Sequence, residues 1–112
     1  MPDGHASAAE PVDDASIRAG LRDATRPLRE LGTFSASKQL DELAKDWVFT
    51  GIDVYEDSIF KDATSYFAPA TIYVSWKSGE RKVTGDSFSG RVTFHVKDGQ
   101  VVLHDISVDT GG

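Results

Sequence analysis

The sequence predicts an α+β domain: two N-terminal helices packed on a four-stranded antiparallel meander. Apolar residues first recur with helical spacing, and after Trp47 they alternate with polar residues as in half-buried strands. The chain has 112 residues, which suffices for one hydrophobic core but not for two domains. We therefore expect a single domain over residues 16–110.

Two helices are predicted in the first part of this domain. The first runs from Ser16 to a stop at Gly32, with a kink or restart at Pro27, which lacks a backbone N–H. The second uses Ser35 or Ser37 as its N-cap. Its apolar face would carry Leu40, Leu43, Ala44 and Trp47.

Four strands are predicted after the helices, over residues 48–55, 65–77, 82–96 and 100–108. Residues that alternate along a strand lie on opposite faces of the sheet. One face should pack on the helices, and the other should be polar and open to water. The open face would carry Tyr73, Arg91, His95 and Tyr55.

The register of the last two strands depends on the length of the loop at Asp98-Gly99. A three-residue loop pairs Val96 with Gln100 and gathers Ile106 and Val108 on the apolar face. A two-residue loop would turn those two residues to the polar side, so we expect the longer loop. That register also places His104 on the apolar face, away from His95, and sets Arg91 opposite Asp105.

The charge is concentrated at the N-terminus. Residues 1–15 hold four of the 18 acidic side chains and no basic ones, so the rest carries 12 basic and 14 acidic groups. Because this segment has little apolar surface, we expect residues 1–15 to form a disordered acidic tail. The remaining chain lacks the basic excess of a nucleic-acid binder, and we do not expect direct nucleic-acid binding.

Three groups of residues are candidate sites. The first helix carries a basic stripe that could contact an acidic partner: Arg18, Arg22, Arg26 and Arg29. An acidic loop could hold Mg²⁺ or imitate the phosphates of a nucleic acid: Asp53, Glu56, Asp57 and Asp62. A pocket between helices and sheet could contain His104, Tyr55 and Trp76, with His104 as an acid–base group. For the basic stripe and the acidic loop, the alternative is an ordinary solvated surface. For His104, the alternative is a structural histidine.

Three strand segments also resemble a known family. They are Ala70–Trp76, Asp86–Gly90 and Ile106–Thr110, and together they are similar to a β-rich bacterial domain described as a predicted PIWI-associating nuclease. The resemblance implies a role near nucleic acids in prokaryotic defence. None of the catalytic positions of that family can be matched to this sequence, so the resemblance implies no active site.

The residues favour a small non-catalytic protein-binding module, which could be an inhibitor or accessory of a nucleic-acid enzyme. The alternatives are a ligand-binding protein or enzyme with the His104 pocket, and a nuclease-related domain. Without cysteine, disulfides and thiolate chemistry are excluded, and no cofactor or metal motif is present. The sequence lacks a signal peptide or membrane span, so we expect a cytoplasmic protein without membrane contact. Exposed sheet edges could also support a homodimer.

Overall fold

A computed structural model describes residues 10–43, 46–78 and 82–109, which form two α-helices and a six-stranded antiparallel sheet. The elements in chain order are β1 (Glu10–Pro11), α1 (Ala15–Thr25), α2 (Ser35–Asp41), β2 (Val48–Val54), a 3₁₀ turn (Glu56–Ser58), β3 (Phe60–Asp62), β4 (Ser65–Ser78), β5 (Lys82–Lys97) and β6 (Gln100–Val108). The predicted combination of helices with an antiparallel sheet is confirmed. The prediction of four strands is wrong, and the helical elements are not all N-terminal, because β1 precedes α1 and the 3₁₀ turn follows β2.

The long strand β4 organises the sheet. On one side β4 pairs along its length with β5, which in turn pairs with β6. On the other side β4 is shared by two strands, because β2 pairs with residues 70–75 and β3 with residues 65–67. The short strand β1 then pairs with β3. Therefore β6 forms one edge of the sheet, and the opposite edge is divided between β2 and β1.

Residues 10–15, which the sequence assigns to an acidic tail, take part in the fold. Glu10 and Pro11 pair with β3, and the backbone N–H of Val12 donates to the carbonyl of Ile59 at 2.8 Å. Asp14 caps α1, since its carboxylate accepts the N–H of Ser16 at 2.8 Å. Residues 10–15 are thus part of the fold, and residues 1–9 lie outside the described residues.

Helix α1 ends at Thr25 rather than continuing through a kink to Gly32. The reason is Pro27, which has no N–H to donate and clashes with the preceding helical turn. Leu21 and Thr25 are buried on this helix, and the hydroxyl of Thr25 donates to the carbonyl of Leu21 at 3.0 Å.

Helix α2 begins at Ser35 without a side-chain cap from its own N-cap residue, Phe34. The cap comes instead from β6, where the Asp105 carboxylate accepts the Ser35 N–H at 2.8 Å and the Ser35 hydroxyl at 2.6 Å. Neither Ser35 nor Ser37 is the N-cap, so that prediction is wrong. Helix α2 also ends at Asp41, which leaves Leu43 48% exposed and outside the predicted apolar face.

The core lies between the two helices and one face of the sheet. Its fully buried aliphatic and aromatic side chains include Leu21, Leu31, Leu40, Ile72, Val74, Val92, Phe94 and Ile106. The predicted apolar face of β4 is confirmed by Ile72 and Val74, with Trp76 partly buried beside them. Ala44 of the predicted second helix lies outside the described residues.

The register between β5 and β6 differs from the prediction. Asp98 and Gly99 both have positive φ, 52° and 78°, and Lys97 pairs with Gln100, so the loop has two residues. Phe94 then pairs with Leu103 but Thr93 pairs with Asp105, which leaves His104 as the extra residue of a β-bulge. The bulge restores the face of Ile106 and Val108, both of which are buried. Arg91 pairs with Ser107, so its predicted pairing with Asp105 is wrong.

Candidate functional site

An open cleft separates α1 and the segment after it from strand β2. Its volume is about 340 Å³. One wall contains three arginines together with Thr25 and Leu28, and the other wall contains consecutive residues of β2, from Thr50 to Val54, with Glu56 beyond them. Three of the four arginines of the predicted basic stripe line this cleft: Arg22, Arg26 and Arg29.

Arg22 is held in place by Glu56. The Arg22 Nε donates to one carboxylate oxygen of Glu56 at 2.8 Å, and the Arg22 Nη2 donates to the other oxygen. This two-point hydrogen bonding lowers the pKa of Glu56 and raises the pKa of Arg22 from their ordinary values. The predicted basic stripe and the predicted acidic loop are therefore partly each other's partners.

Arg26 and Arg29 are not neutralised in the same way. Both side chains are exposed, and no carboxylate of a described residue lies within ion-pair distance of either. The Arg29 Nη1 donates to the neighbouring carbonyl of Leu28 at 3.3 Å. These two guanidinium groups give the wall of the cleft a positive charge.

Arg18 lies outside the cleft. Its Nη2 donates to the Asp13 carboxylate at 2.6 Å, and its Nη1 is 3.9 Å from the Asp57 carboxylate. The fourth arginine of the predicted stripe is thus engaged near the start of α1.

The opposite wall of the cleft is an edge of β2 that is unpaired among the described residues. The N–H of Tyr55 donates to the carbonyl of Pro69 at 2.9 Å, in the register that joins β2 to β4. Backbone groups of alternate residues in an antiparallel ladder point to opposite sides. Val54 and Ile52 therefore direct their N–H and C=O groups away from β4. No described residue pairs with this edge.

A second cleft, of about 470 Å³, continues along the same strand. It is bordered by Val48 and Phe49 of β2, by Trp47, and by residues 29–32. Arg29 lines both clefts, which together extend along β2 from Val48 to Val54. We call this pair of clefts the β2 groove. One end of the β2 groove has exposed arginines, and the other has a 59% exposed Val48 beside Trp47.

The predicted acidic loop does not gather its four carboxylates. Asp53 accepts a hydrogen bond from the Tyr73 hydroxyl at 3.0 Å, which raises the pKa of Tyr73. Glu56 is bound to Arg22, while Asp57 and Asp62 are exposed on separate elements. Among residues 10–43, 46–78 and 82–109, no group of three or more His, Asp or Glu side chains could hold a metal ion.

The open face of the sheet carries the predicted residues. Tyr73 and Tyr55 are 39% and 49% exposed, and the Tyr55 hydroxyl lies 2.6 Å from the hydroxyl of Thr71. Arg91 stacks over the ring of Phe67 with its Cζ 4.7 Å from the ring centroid. Phe67 in turn stacks on Phe60, with 5.6 Å between centroids.

His104 is not on the apolar face. The bulge turns its exposed side chain toward His95, and the two rings meet edge to face with 5.0 Å between centroids. Trp76 packs edge to face against Phe88 beside the core, whereas Tyr55 contacts Thr71 on the open face. The structure therefore does not bring His104, Tyr55 and Trp76 together as the predicted pocket would require.

Comparison with protein-family models, curated proteins and solved structures found no match to this chain. The resemblance to the PIWI-associating nuclease family therefore stays a prediction. No helix in the described ranges is both long enough and apolar enough to cross a membrane.

Proposed function

We propose that this chain is a non-catalytic protein-binding module whose binding surface is the β2 groove. The observation that carries the proposal is the position of Arg26 and Arg29, two exposed guanidinium groups with no described carboxylate at ion-pair distance, beside a strand edge without a described backbone partner. Arginine is enriched in protein interfaces because its planar group forms paired hydrogen bonds. A free edge adds backbone donors and acceptors.

The net charge of −6 favours a protein partner over a nucleic acid. A nucleic acid would meet Arg26 and Arg29 in the groove but also three carboxylates that line it, Glu30, Asp53 and Glu56, and an acidic chain overall. Protein partners can place a few carboxylates opposite the arginines without bringing a continuous row of phosphates. The groove therefore fits a local acidic segment better than a polyanion.

The acidic-loop version of the proposal has less support. An inhibitor that imitates phosphates would present Asp53, Glu56 and Asp57 to a basic enzyme. Two of these carboxylates already accept hydrogen bonds, from Tyr73 and Arg22, and would have to release them. The arginine side of the same region is more available for binding.

The test is an affinity capture from lysate of the source organism with the full-length chain, compared between two variants of equal charge. Arg26→Glu/Arg29→Glu reverses both free arginines of the groove, and Lys38→Glu/Lys97→Glu reverses two exposed lysines elsewhere. We expect one protein to be retained by the wild type and the lysine variant and lost by the arginine variant. Equal retention by all three chains would reject the groove as the binding surface.

Neutralising the acidic loop separates the two versions of the proposal. If the loop imitates phosphates, the triple variant Asp53→Asn/Glu56→Gln/Asp57→Asn should lose the captured protein. If the groove is the binding surface, this variant should retain it, because Arg22 becomes available in addition to Arg26 and Arg29. Loss of the protein from a folded triple variant would contradict the groove version.

A further inference from the structure

We infer that the β2 groove takes an extended acidic peptide segment, which adds to the free edge of β2 as a further strand. This inference rests on the proposed function and names the partner chemistry of the same site. Three properties of the groove carry it: its shape, its backbone hydrogen-bonding groups and its distribution of charge.

The shape of the groove matches a strand. Arg29 lines both clefts, and the β2 residues that border them follow one another along the strand, so the two clefts together extend along β2. The seven residues of β2 span about 23 Å at ~3.3 Å per residue. An extended segment of similar length could lie along this strand, whereas a compact small molecule would fill only one cleft.

The backbone groups that such a segment needs are present. Ile52 and Val54 point their N–H and C=O groups into the side of β2 that no described residue occupies. An added strand would satisfy these groups through the ladder pattern of a sheet. Main-chain hydrogen bonds of this kind provide affinity for many different sequences.

The side chains around the edge supply the selectivity. Arg26 and Arg29 lie beside the residues whose backbone is free, so carboxylates on the added strand would find charged donors there. At the other end of the groove, Val48 and Trp47 offer apolar contact. The segment we infer therefore carries acidic side chains toward one end and an apolar side chain toward the other.

Binding of a defined peptide to the full-length chain tests this inference. The probe is the capped heptapeptide Thr-Glu-Thr-Asp-Thr-Val-Thr, which has acidic residues toward one end and a valine toward the other, and its control has Lys in place of both acidic residues. We expect the acidic probe to bind and the lysine peptide to bind at least about tenfold more weakly. Arg26→Glu/Arg29→Glu should weaken the acidic probe by a similar factor, while Lys38→Glu/Lys97→Glu should leave its affinity unchanged.

Two N-methylated forms of the acidic probe test strand addition on the wild-type chain, so the result does not depend on the folding of a variant. One is methylated at the second, fourth and sixth residues, and the other at the third, fifth and seventh. Only one set of N–H groups faces β2 in an added strand. We expect one form to lose binding and the other to keep it, together with slower hydrogen exchange at Ile52 and Val54.

Several outcomes would overturn the inference. Equal binding of both methylated forms, with unchanged exchange at Ile52 and Val54, would reject strand addition; the proposed function would survive if the captured protein still depended on Arg26 and Arg29. Absence of peptide binding would reject the acidic segment, and the proposed function would again survive if the captured protein depended on Arg26 and Arg29. Displacement of the probe by an oligothymidylate at equal concentration would indicate a nucleic-acid site. Concentration-dependent protection of the same amides without peptide would assign the edge to a second copy of this chain.

Discussion

Single residues of β6 and β5 control how neighbouring elements of the fold fit together. Asp105 of β6 binds both the N–H and the hydroxyl of Ser35 and thereby caps α2 from outside the helix. Gly90 of β5 lies so close to Ile72 and to the carbonyl of Ser107 that a Cβ atom has no room. Neither role is visible in the sequence, because both depend on residues far away along the chain.

Replacing Asp105 with Asn should lower the free energy of unfolding by about 1 kcal/mol at neutral pH, the usual value of a helix cap. Burial opposes the charge of Asp105, but the hydrogen bonds from Ser35 and Ile106 and the charge of His104 outweigh it, so the pKa of this carboxyl is lowered. A group whose pKa is lower in the folded state stabilises the fold above its unfolded pKa, and this stabilisation disappears as the pH falls through the folded pKa.

The difference in free energy of unfolding between wild type and Asp105→Asn should therefore become smaller at acidic pH. Urea unfolding over a pH series measures this difference. Asp62→Asn is the control, because the Asp62 side chain is exposed and forms no hydrogen bond with a described residue. A pH-independent difference for Asp105→Asn would contradict the assigned role of its charge.

Gly90→Ala should destabilise the domain by about 1–3 kcal/mol, because the added methyl group overpacks the sheet against Ile72 and Ser107. Gly85 lies on the same strand as Gly90, and a Cβ atom added at Gly85 would meet no atom within 4 Å, so Gly85→Ala is the matched control. We expect it to change stability by less than ~0.5 kcal/mol. Thermal unfolding of both variants checks the pair, and similar losses would show that β-strand glycines are sensitive for another reason.

At the scale of elements, the periodic parts of the sequence are the predictable parts. Strands β2, β4, β5 and β6 lie within one or two residues of their predicted bounds, because alternation over seven or more residues is a strong signal. Strands β1 and β3 have two and three residues, too few to show a period. The sequence does not predict the bulge at His104, because both loop lengths considered for Asp98-Gly99 assume a regular ladder between β5 and β6. The chain instead combines the two-residue turn with one extra residue in β6.

Deleting His104 tests the role of the bulge. The deletion makes the ladder regular but shifts Asp105–Val108 by one position, so Ile106 and Val108 would turn away from the core. Exposing two buried aliphatic side chains costs about 3–6 kcal/mol, which is a large part of the about 5–15 kcal/mol by which a typical domain is stable. His104→Ala keeps the bulge, so its free energy of unfolding should lie within ~0.5 kcal/mol of the wild-type value. Circular dichroism with urea unfolding distinguishes the two, and a stable deletion variant would contradict the assignment.

On the scale of the whole molecule, the sequence indicated half of the candidate site. Helical spacing predicts Arg22, Arg26 and Arg29 on one stripe, and all three line the groove even though α1 ends at Thr25, before Arg26 and Arg29. The other half is the free edge of β2, which no local pattern reveals, because it depends on which strands occupy the rest of β4. The pairing of Arg22 with Glu56 joins residues 34 positions apart and was equally hidden.

The chain as a whole carries a net charge of −6, whereas the cleft between α1 and β2 is lined by three arginines and two carboxylates, Asp53 and Glu56, which makes Glu56 informative. Glu56→Gln should release Arg22 into the groove and tighten binding of the acidic heptapeptide several-fold, with a smaller gain at high salt. Fluorescence anisotropy at two ionic strengths measures both effects. Glu42→Gln is a control with the same charge change outside the groove, and an equal gain there would show that only net charge matters.

The sharing of one side of β4 by β2 and β3 has a consequence for the order in which the chain assembles. Strands β4, β5 and β6 are joined in sequence as hairpins, so their contacts close short loops, whereas β2 reaches β4 only across the 3₁₀ turn and β3. We expect the three hairpin strands to form first and β2 to join late. In native-state hydrogen exchange, the amides of β2 that bond to β4 should then open at lower free energy than those between β4 and β5. The β2 groove would then be the last part of the domain to fold. It would also be the part whose local opening free energy rises first when a ligand binds.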